Sequence, residues 1–165
     1  NSGEQLPDFW CDYDRGTRSF DNVAQCLAKF RGSDVQTARH MMATAITYQD
    51  QVAPTAELIA ELKGESYRLF VLSNMSKEYI DFLRKMPVYQ YFDGEVISCE
   101  VGLNKPEREI YSLLLDRFSL DPLQTMFIDD RKENIEAAIT QGWHGYHFNA
   151  RNPEESCVEL RDALL

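Results

Sequence analysis

The sequence predicts an α/β protein in which a Rossmann-like, doubly wound parallel sheet follows an all-helical segment. Residues 18–64 carry apolar residues at helical spacing and contain no good strand candidate. From residue 67 onward, short continuous apolar runs alternate with amphipathic stretches. Uninterrupted apolar strands are typical of a parallel sheet whose two faces are both covered by helices.

The first part of the chain predicts three helices. Its apolar residues recur at helical spacing, and the third run starts at a proline, a residue favoured at the first position of a helix. The three runs occupy residues 20–30, 41–46 and 54–62.

The second part predicts four strands, each followed by a helix. The strand candidates are continuous apolar runs, and the helix candidates are amphipathic. The predicted strands are 68–72, 95–99, 125–128 and 145–148, and the predicted helices are 76–85, 106–118, 131–141 and 153–165.

The chain is acidic, with 27 Asp and Glu residues against 17 Lys and Arg residues and a formal net charge of −10. This charge opposes general binding to nucleic acid or to an anionic membrane, because both are negatively charged. A small phosphorylated substrate remains compatible, since a local cation or metal ion reverses the field inside one cleft. We therefore expect a small-molecule partner rather than a nucleic acid or a membrane.

The cysteines indicate a reducing compartment. All four lie far apart and form no C-x-x-C motif, which favours reduced thiols. No apolar run approaches the ~18–20 residues that a membrane-spanning helix needs. We therefore expect a cytoplasmic protein.

Polar residues follow the predicted strands at positions where function is expected. Ser73 and Asn74 follow the first strand, Lys105 ends the loop after the second, and Asp129 and Asp130 follow the third. In an open parallel sheet, functional groups gather beyond the carboxyl ends of the strands. We therefore expect these five residues to lie along one edge of the sheet.

The adjacent aspartates have two interpretations. Asp130 and Glu133 fit a capping box, in which two side chains satisfy the free N–H groups at the start of a helix. That explanation gives Asp129 no role, and two adjacent carboxylates at the mouth of a buried strand repel each other unless a cation is near. A Mg²⁺ ion would remove the repulsion, since it binds one or two carboxylates together with waters and phosphate oxygens. Asn134, one helical turn later, would then lie near those waters.

Lys105 precedes Pro106, which the sequence places at the first position of the next helix. A cation there opposes the helix dipole by ~0.3–1 kcal/mol. Lys105 is therefore either a solvated loop residue or a functional cation that holds a carboxylate nucleophile and a phosphate together. Ser73 and Asn74 precede another helix, where they fit either N-cap residues or donors to phosphate oxygens.

Three of these segments together resemble the haloacid dehalogenase-like superfamily. Residues 69–74 (LFVLSN) resemble its second motif, residues 102–106 (GLNKP) with Ile110 and Tyr111 its third, and residues 127–135 (FIDDRKENI) its fourth. Residues 10–20 are similar to the entrance of the small helical cap in phosphatases related to sugar-1-phosphatases and to the N-terminal domain of soluble epoxide hydrolase. The resemblance implies a helical cap over residues 9–64 and an α/β core over residues 65–165.

The resemblance also implies roles for the polar residues, within a Mg²⁺-dependent phosphomonoester hydrolase that forms an aspartyl-phosphate. Asp130 would bind Mg²⁺ directly, with Asp129 as its neighbour and Asn134 in the outer shell. Lys105 would neutralise the nucleophile and the phosphate. Ser73 and Asn74 would bind the phosphoryl group of a small phosphorylated metabolite.

The superfamily's first motif, an apolar strand ending in D-x-D or D-x-G, supplies the aspartate nucleophile. Residues 12–17 (DYDRGT) match it superficially, but residues 6–11 place a proline and an aspartate where a buried central strand is expected. The resemblance therefore implies that the nucleophile and its strand lie upstream of Asn1. We expect that residues 1–165 do not fold alone, because two strand edges would stay unpaired in the middle of the sheet.

Two alternatives to a phosphatase stay open. A 2-haloacid dehalogenase shares the fold, attacks carbon and needs no metal, although adjacent aspartates would repel its carboxylate substrate. A non-catalytic binding module would keep the fold and lack the nucleophile.

Overall fold

A computed structural model of the chain describes residues 7–165. It confirms the predicted α/β class, with helices first and then alternating strands and helices. The strands are β1 (Phe70–Ser73), β2 (Gly94–Ile97), β3 (Met126–Asp129) and β4 (His144–His147). The helices are α1 (Asp8–Asp14), α2 (Phe20–Arg31), α3 (Val35–Thr47), α4 (Ala53–Gly64), α5 (Lys77–Leu83), α6 (Ser98–Val101), α7 (Arg108–Phe118), α8 (Lys132–Ile139) and α9 (Pro153–Leu164).

Side-chain caps fix the starts of the two helices that follow α1. Ser19 Oγ accepts a hydrogen bond from Asn22 N at 3.3 Å at the start of α2, and Asp34 Oδ1 accepts one from Thr37 N at 3.0 Å at the start of α3. Each cap satisfies an N–H group that has no partner inside its helix. The polar residues between the apolar runs therefore set the helix boundaries.

Two helices occupy segments that the sequence compared with strands, one of them as predicted and one not. Residues 12–17 resemble the superfamily's first motif superficially, but Asp8–Asp14 is helix α1, in agreement with the rejection of that match. β2 ends at Ile97, and the predicted strand residues Ser98 and Cys99 instead open α6. At this turn the Ser98 hydroxyl bonds to the backbone of Asp14 and Met75, outside the strand.

The chain divides into two compact units, of which the first contains residues 7–49, 73–85 and 97–104 among the described residues. Its core is formed by buried side chains of α1, α2 and α3, against which Phe20 and Leu27 also pack. The buried members are Tyr13, Val23, Ala24 and Met42.

The second unit contains residues 50–72, 86–96 and 105–165. Here α4 packs against α9 through Leu58, Leu62, Cys157 and Leu160. The predicted division into a cap at 9–64 and a core at 65–165 differs from these units, because α4 belongs to the second unit while residues 73–85 and 97–104 belong to the first. The division stays a prediction.

Strands β3 and β4 are parallel, with Phe127 opposite Gly145 and Asp129 opposite His147. Helix α8 covers this pair so closely that a Cβ on Gly145 would lie 2.7 Å from Ile135 Cγ2, which explains the glycine. Within the described residues, β1 pairs only with β2, and β3 only with β4.

Candidate active site

Lys105 connects the carboxyl ends of β1 and β3. Its Nζ donates hydrogen bonds to Leu72 O at 2.8 Å and to Asp129 Oδ2 at 2.5 Å. The side chains of Lys105 and Asp129 are 9% and 7% exposed, respectively. The Nζ also lies 5.2 Å from the centre of the Phe127 ring, whose face attracts a cation. The structure therefore places a buried cation at the carboxyl ends of β1 and β3, where the sequence predicted functional groups.

The position of Lys105 relative to the following helix differs from the prediction. Helix α7 begins at Arg108 with Glu107 as its N-cap, so Pro106 is not its first residue. The ammonium group lies in a cluster with Leu72 and Asp129 instead. The helix-dipole argument therefore does not describe this lysine, and neither does a solvated loop position.

Asp129 uses both of its carboxylate oxygens. Oδ2 contacts Lys105, while Oδ1 accepts hydrogen bonds from Arg131 N at 2.9 Å and from Asn134 Nδ2 at 2.9 Å. Charged hydrogen bonds of this kind stabilise a buried carboxylate. Asp129 is therefore held in one orientation at the end of β3.

Asp130 is exposed, and its environment contrasts with that of Asp129. Its backbone oxygen is 3.0 Å from His147 Nε2, while its carboxylate forms no hydrogen bond or ion pair within residues 7–165. The capping-box interpretation is wrong, because α8 has Arg131 as its N-cap and Glu133 pairs with Arg131. Asp130 thus presents a carboxylate that is available to a ligand.

The side chain of Asn134 shows whether the residues at this site fit a metal ion. The residue is 2% exposed, and its Oδ1 is buried without a hydrogen-bond partner in the described part of the chain. Such an oxygen costs ~1–3 kcal/mol when nothing satisfies it, and a water near a cation would do so. Residues 7–165 contain no group of three His, Cys, Asp or Glu side chains that could hold a metal. The donor set fits Mg²⁺, which needs only one or two protein carboxylates.

Ser73 is the last residue of β1, and Asn74 begins the loop after it. Neither caps a helix, because α5 begins at Lys77 with Ser76 as its N-cap residue. The N-cap interpretation of Ser73 and Asn74 is therefore wrong, and the loop that carries them is held at Met75 N by the hydroxyl of Ser98.

Two residues without a predicted role support this site. Ser98 was assigned to a strand, and its only signal was a hydroxyl directly after the apolar pair 96–97. Tyr111 lies within the third-motif segment, and its hydroxyl donates to Asn134 O at 3.0 Å. Burial, followed by the charges of Asp129 and Glu133, raises the pKa of Tyr111, so the phenol keeps the proton that it donates.

Comparison with known proteins identifies what the chain is similar to. The family model of haloacid dehalogenase-like hydrolases matches residues 4–142. A sesquiterpene phosphatase of Aspergillus oryzae is 29% identical over 94% of this chain and 79% of its own length. A flavin mononucleotide hydrolase of Arabidopsis thaliana is 24% identical over 94% of this chain, which spans only 62% of that relative.

Among solved structures, a similar one is a haloacid dehalogenase-like (HAD) family enzyme of Bacteroides thetaiotaomicron in complex with magnesium and inorganic phosphate. It is 24% identical, with a TM-score of 0.73, and the match covers 88% of this chain and 77% of that one. At this identity the likeness shows the fold.

Proposed function

The chain belongs to the haloacid dehalogenase-like hydrolase family, and from this we propose that it is a Mg²⁺-dependent phosphomonoester hydrolase. Its substrate would be a small phosphorylated metabolite. The relatives support this class, since one is named a phosphatase and another a flavin mononucleotide hydrolase. A small substrate also agrees with the net charge of −10, which disfavours phosphate-rich polymers.

The observation that carries the proposal is the buried contact between Lys105 and Asp129 beside the exposed carboxylate of Asp130. Lys105 would offset the negative charge of the nucleophile and of the phosphoryl oxygens. This is the electrostatic stabilisation that phosphoryl transfer requires. Asp129 would keep the ammonium group in place, because its Oδ1 is itself fixed by two hydrogen bonds.

The same residues would hold the metal. Asp130 would be the direct ligand, Asp129 its neighbour, and Asn134 would lie in the outer shell through its unsatisfied Oδ1. Bound Mg²⁺ supplies positive charge that stabilises the transferring phosphoryl group. A magnesium complex of a fold neighbour supports this assignment.

The nucleophile in this proposal is an aspartate upstream of Asn1, which would form the aspartyl-phosphate while Ser73 and Asn74 bind the phosphoryl oxygens. The strand edges support an additional strand. Within residues 7–165, β3 pairs only with β4, and Met126 and Ile128 on β3 are 36% and 38% exposed. A strand that carries the nucleophile would pair with β3 and cover these apolar side chains.

Residues 9–64 would form the helical cap that excludes water from the site. All four cysteines are free thiols, which supports the cytoplasm as the proposed compartment. The described residues include no helix that is long and apolar enough to cross a membrane.

The test is hydrolysis of a generic aryl phosphate by the full-length protein, with Mg²⁺ and with a chelator. We expect turnover that the chelator abolishes and that Mg²⁺ restores. Release of halide from a 2-haloacid in the presence of the chelator would instead establish a dehalogenase. Absence of both activities, with phosphate still bound, would establish a binding module.

A further inference from the structure

We propose that Ser98 is a positioning residue for the loop of Ser73 and Asn74, which it joins to the end of α1. Ser98 is fully buried. Its Oγ accepts a hydrogen bond from Met75 N at 2.8 Å and lies 2.5 Å from Asp14 O, to which it donates. The inference rests on the proposed function, because it concerns the residues assigned to the phosphoryl group.

The hydroxyl has a single proton, and the geometry determines its direction. Met75 O is 3.4 Å from Oγ, much farther than Asp14 O. The proton therefore goes to Asp14 O, which leaves the oxygen lone pairs for Met75 N. One side chain thus satisfies a donor in the loop and an acceptor at the end of α1.

The place of Ser98 in the fold makes it a rigid support. It follows directly on Val96 and Ile97, both of which are fully buried residues of β2. A hydrogen bond from such a position fixes Met75 N and, through two peptide bonds, the backbone of Ser73 and Asn74. Catalytic constellations need this kind of support, since a displacement of about 1 Å can cost ~10²-fold in rate.

The contact between the end of α1 and α6 is tight, which leaves Asp14 little freedom to move. Gly16 has a φ of +79°, and a Cβ at this position would lie 2.5 Å from Cys99 O. Arg15 Nη1 donates to Gly102 O at 3.0 Å. Ser98 therefore connects the loop to a segment that other contacts already fix.

The experiment compares three variants of the full-length protein with wild type. Ser98→Ala removes the hydroxyl, and Ser98→Cys replaces it with a somewhat larger thiol that is a weaker hydrogen-bond donor and acceptor. Ser156→Ala is the matched control. Ser156, on α9, is also buried, and like Ser98 its Oγ accepts a hydrogen bond from a backbone amide, that of Asn149 at 2.9 Å. The readouts are KM and kcat for an aryl phosphate, the inhibition constant of inorganic phosphate, and hydrogen exchange of the Met75 amide.

We expect Ser98→Ala to raise KM and the phosphate inhibition constant by about tenfold or more, with faster exchange at Met75. Ser98→Cys should change both constants in the same direction by less, and this variant decides the question if Ser98→Ala does not fold. Ser156→Ala should lower stability while leaving both constants near the wild-type values. If the wild type is active and the Ser98 variants have the same KM and phosphate inhibition constant as the Ser156→Ala control, the inference is overturned. An inactive wild type would refute the proposed function, and Met75 exchange unchanged by Ser98→Cys would then overturn the positioning role.

Discussion

Lys105 Nζ lies 2.5 Å from Asp129 Oδ2, and both side chains are more than nine-tenths buried. The sequence indicated that two adjacent aspartates need a cation, and it favoured a metal ion. The structure shows that the lysine already compensates Asp129, whereas Asp130 keeps its carboxylate in solvent. The two aspartates are therefore not equivalent, and each supports a different experiment.

Replacement of Lys105 by methionine should reduce both activity and stability. Without the ammonium group, turnover of an aryl phosphate should fall by at least ~10²-fold, as when an oxyanion donor is removed. The buried Asp129 would lose its cation, at a cost of about 3 kcal/mol in the free energy of unfolding. Steady-state kinetics and urea denaturation measure the two effects.

Lys63→Met is the control for that variant. In the wild type Lys63 forms an ion pair with Asp93, and both side chains are about one-third exposed. The loss of stability in the variant should therefore stay near or below ~1 kcal/mol, and turnover should not change. If Lys105→Met is as stable and as active as Lys63→Met, the buried pair has no functional role.

Asp130→Asn should remove the effect of Mg²⁺ on thermal stability. In the full-length wild type, Mg²⁺ should raise the melting temperature, because a ligand that binds only the folded state stabilises it. The amide removes the negative charge that attracts the ion, and the exposed side chain itself contributes little to folding. Asp116→Asn, an exposed position on α7, should retain the Mg²⁺ response. A full response in Asp130→Asn would contradict the metal assignment.

Tyr111→Phe should weaken the site through Asn134. The phenol is fully buried and donates to Asn134 O, so its loss removes a hydrogen bond that fixes the backbone of α8 at Asn134, at about 0.5–1.5 kcal/mol. Because Asn134 Nδ2 also fixes Asp129, we expect the apparent Mg²⁺ affinity to fall as well. Titration of turnover with Mg²⁺ measures this affinity. The control is Tyr146→Phe, which removes a hydroxyl that donates to Glu159 at 2.6 Å. Equal Mg²⁺ affinity in both variants would show that Tyr111 is only a packing residue.

The sequence predicted the elements better than it predicted the contacts at their ends. Apolar runs and helical spacing indicate which segments become strands and helices, because burial depends on that pattern. The apolar run at residues 41–46 includes both Met41 and Met42, whereas the structure buries Met42 and leaves Met41 43% exposed. The width of the buried face depends on neighbouring helices, which a local pattern does not contain.

The roles of Lys105 and Ser98 show the same limit of local patterns. The sequence placed Lys105 against a helix dipole, yet its ammonium group binds Leu72 O and Asp129 Oδ2, which lie 33 and 24 residues away. Ser98 joins backbone groups that are 84 and 23 residues away. Only the fold brings such groups together. The positions of these residues after the predicted strands could therefore indicate that they gather at the strand ends, but not which hydrogen bonds they form there.

The ion pair of Asp93 predicts how stability depends on pH. Asp93 Oδ1 contacts Lys63 Nζ at 2.6 Å, and Oδ2 accepts from Leu69 N at 2.8 Å. The hydrogen bond from Lys63, followed by that from Leu69, lowers the pKa of Asp93 from its ordinary value of 3.8. Because the folded-state pKa is depressed, the stabilisation is fully present above pH 3.8 and is lost as the pH falls through the folded-state value.

Asp93→Asn should therefore unfold at lower urea concentration than wild type near neutral pH, and the difference should shrink as the solution is acidified. Asp116→Asn controls for a general change of charge and should give no such convergence. A difference between wild type and Asp93→Asn that stays constant down to pH values below 3.8 would show that the carboxylate charge does not stabilise this contact.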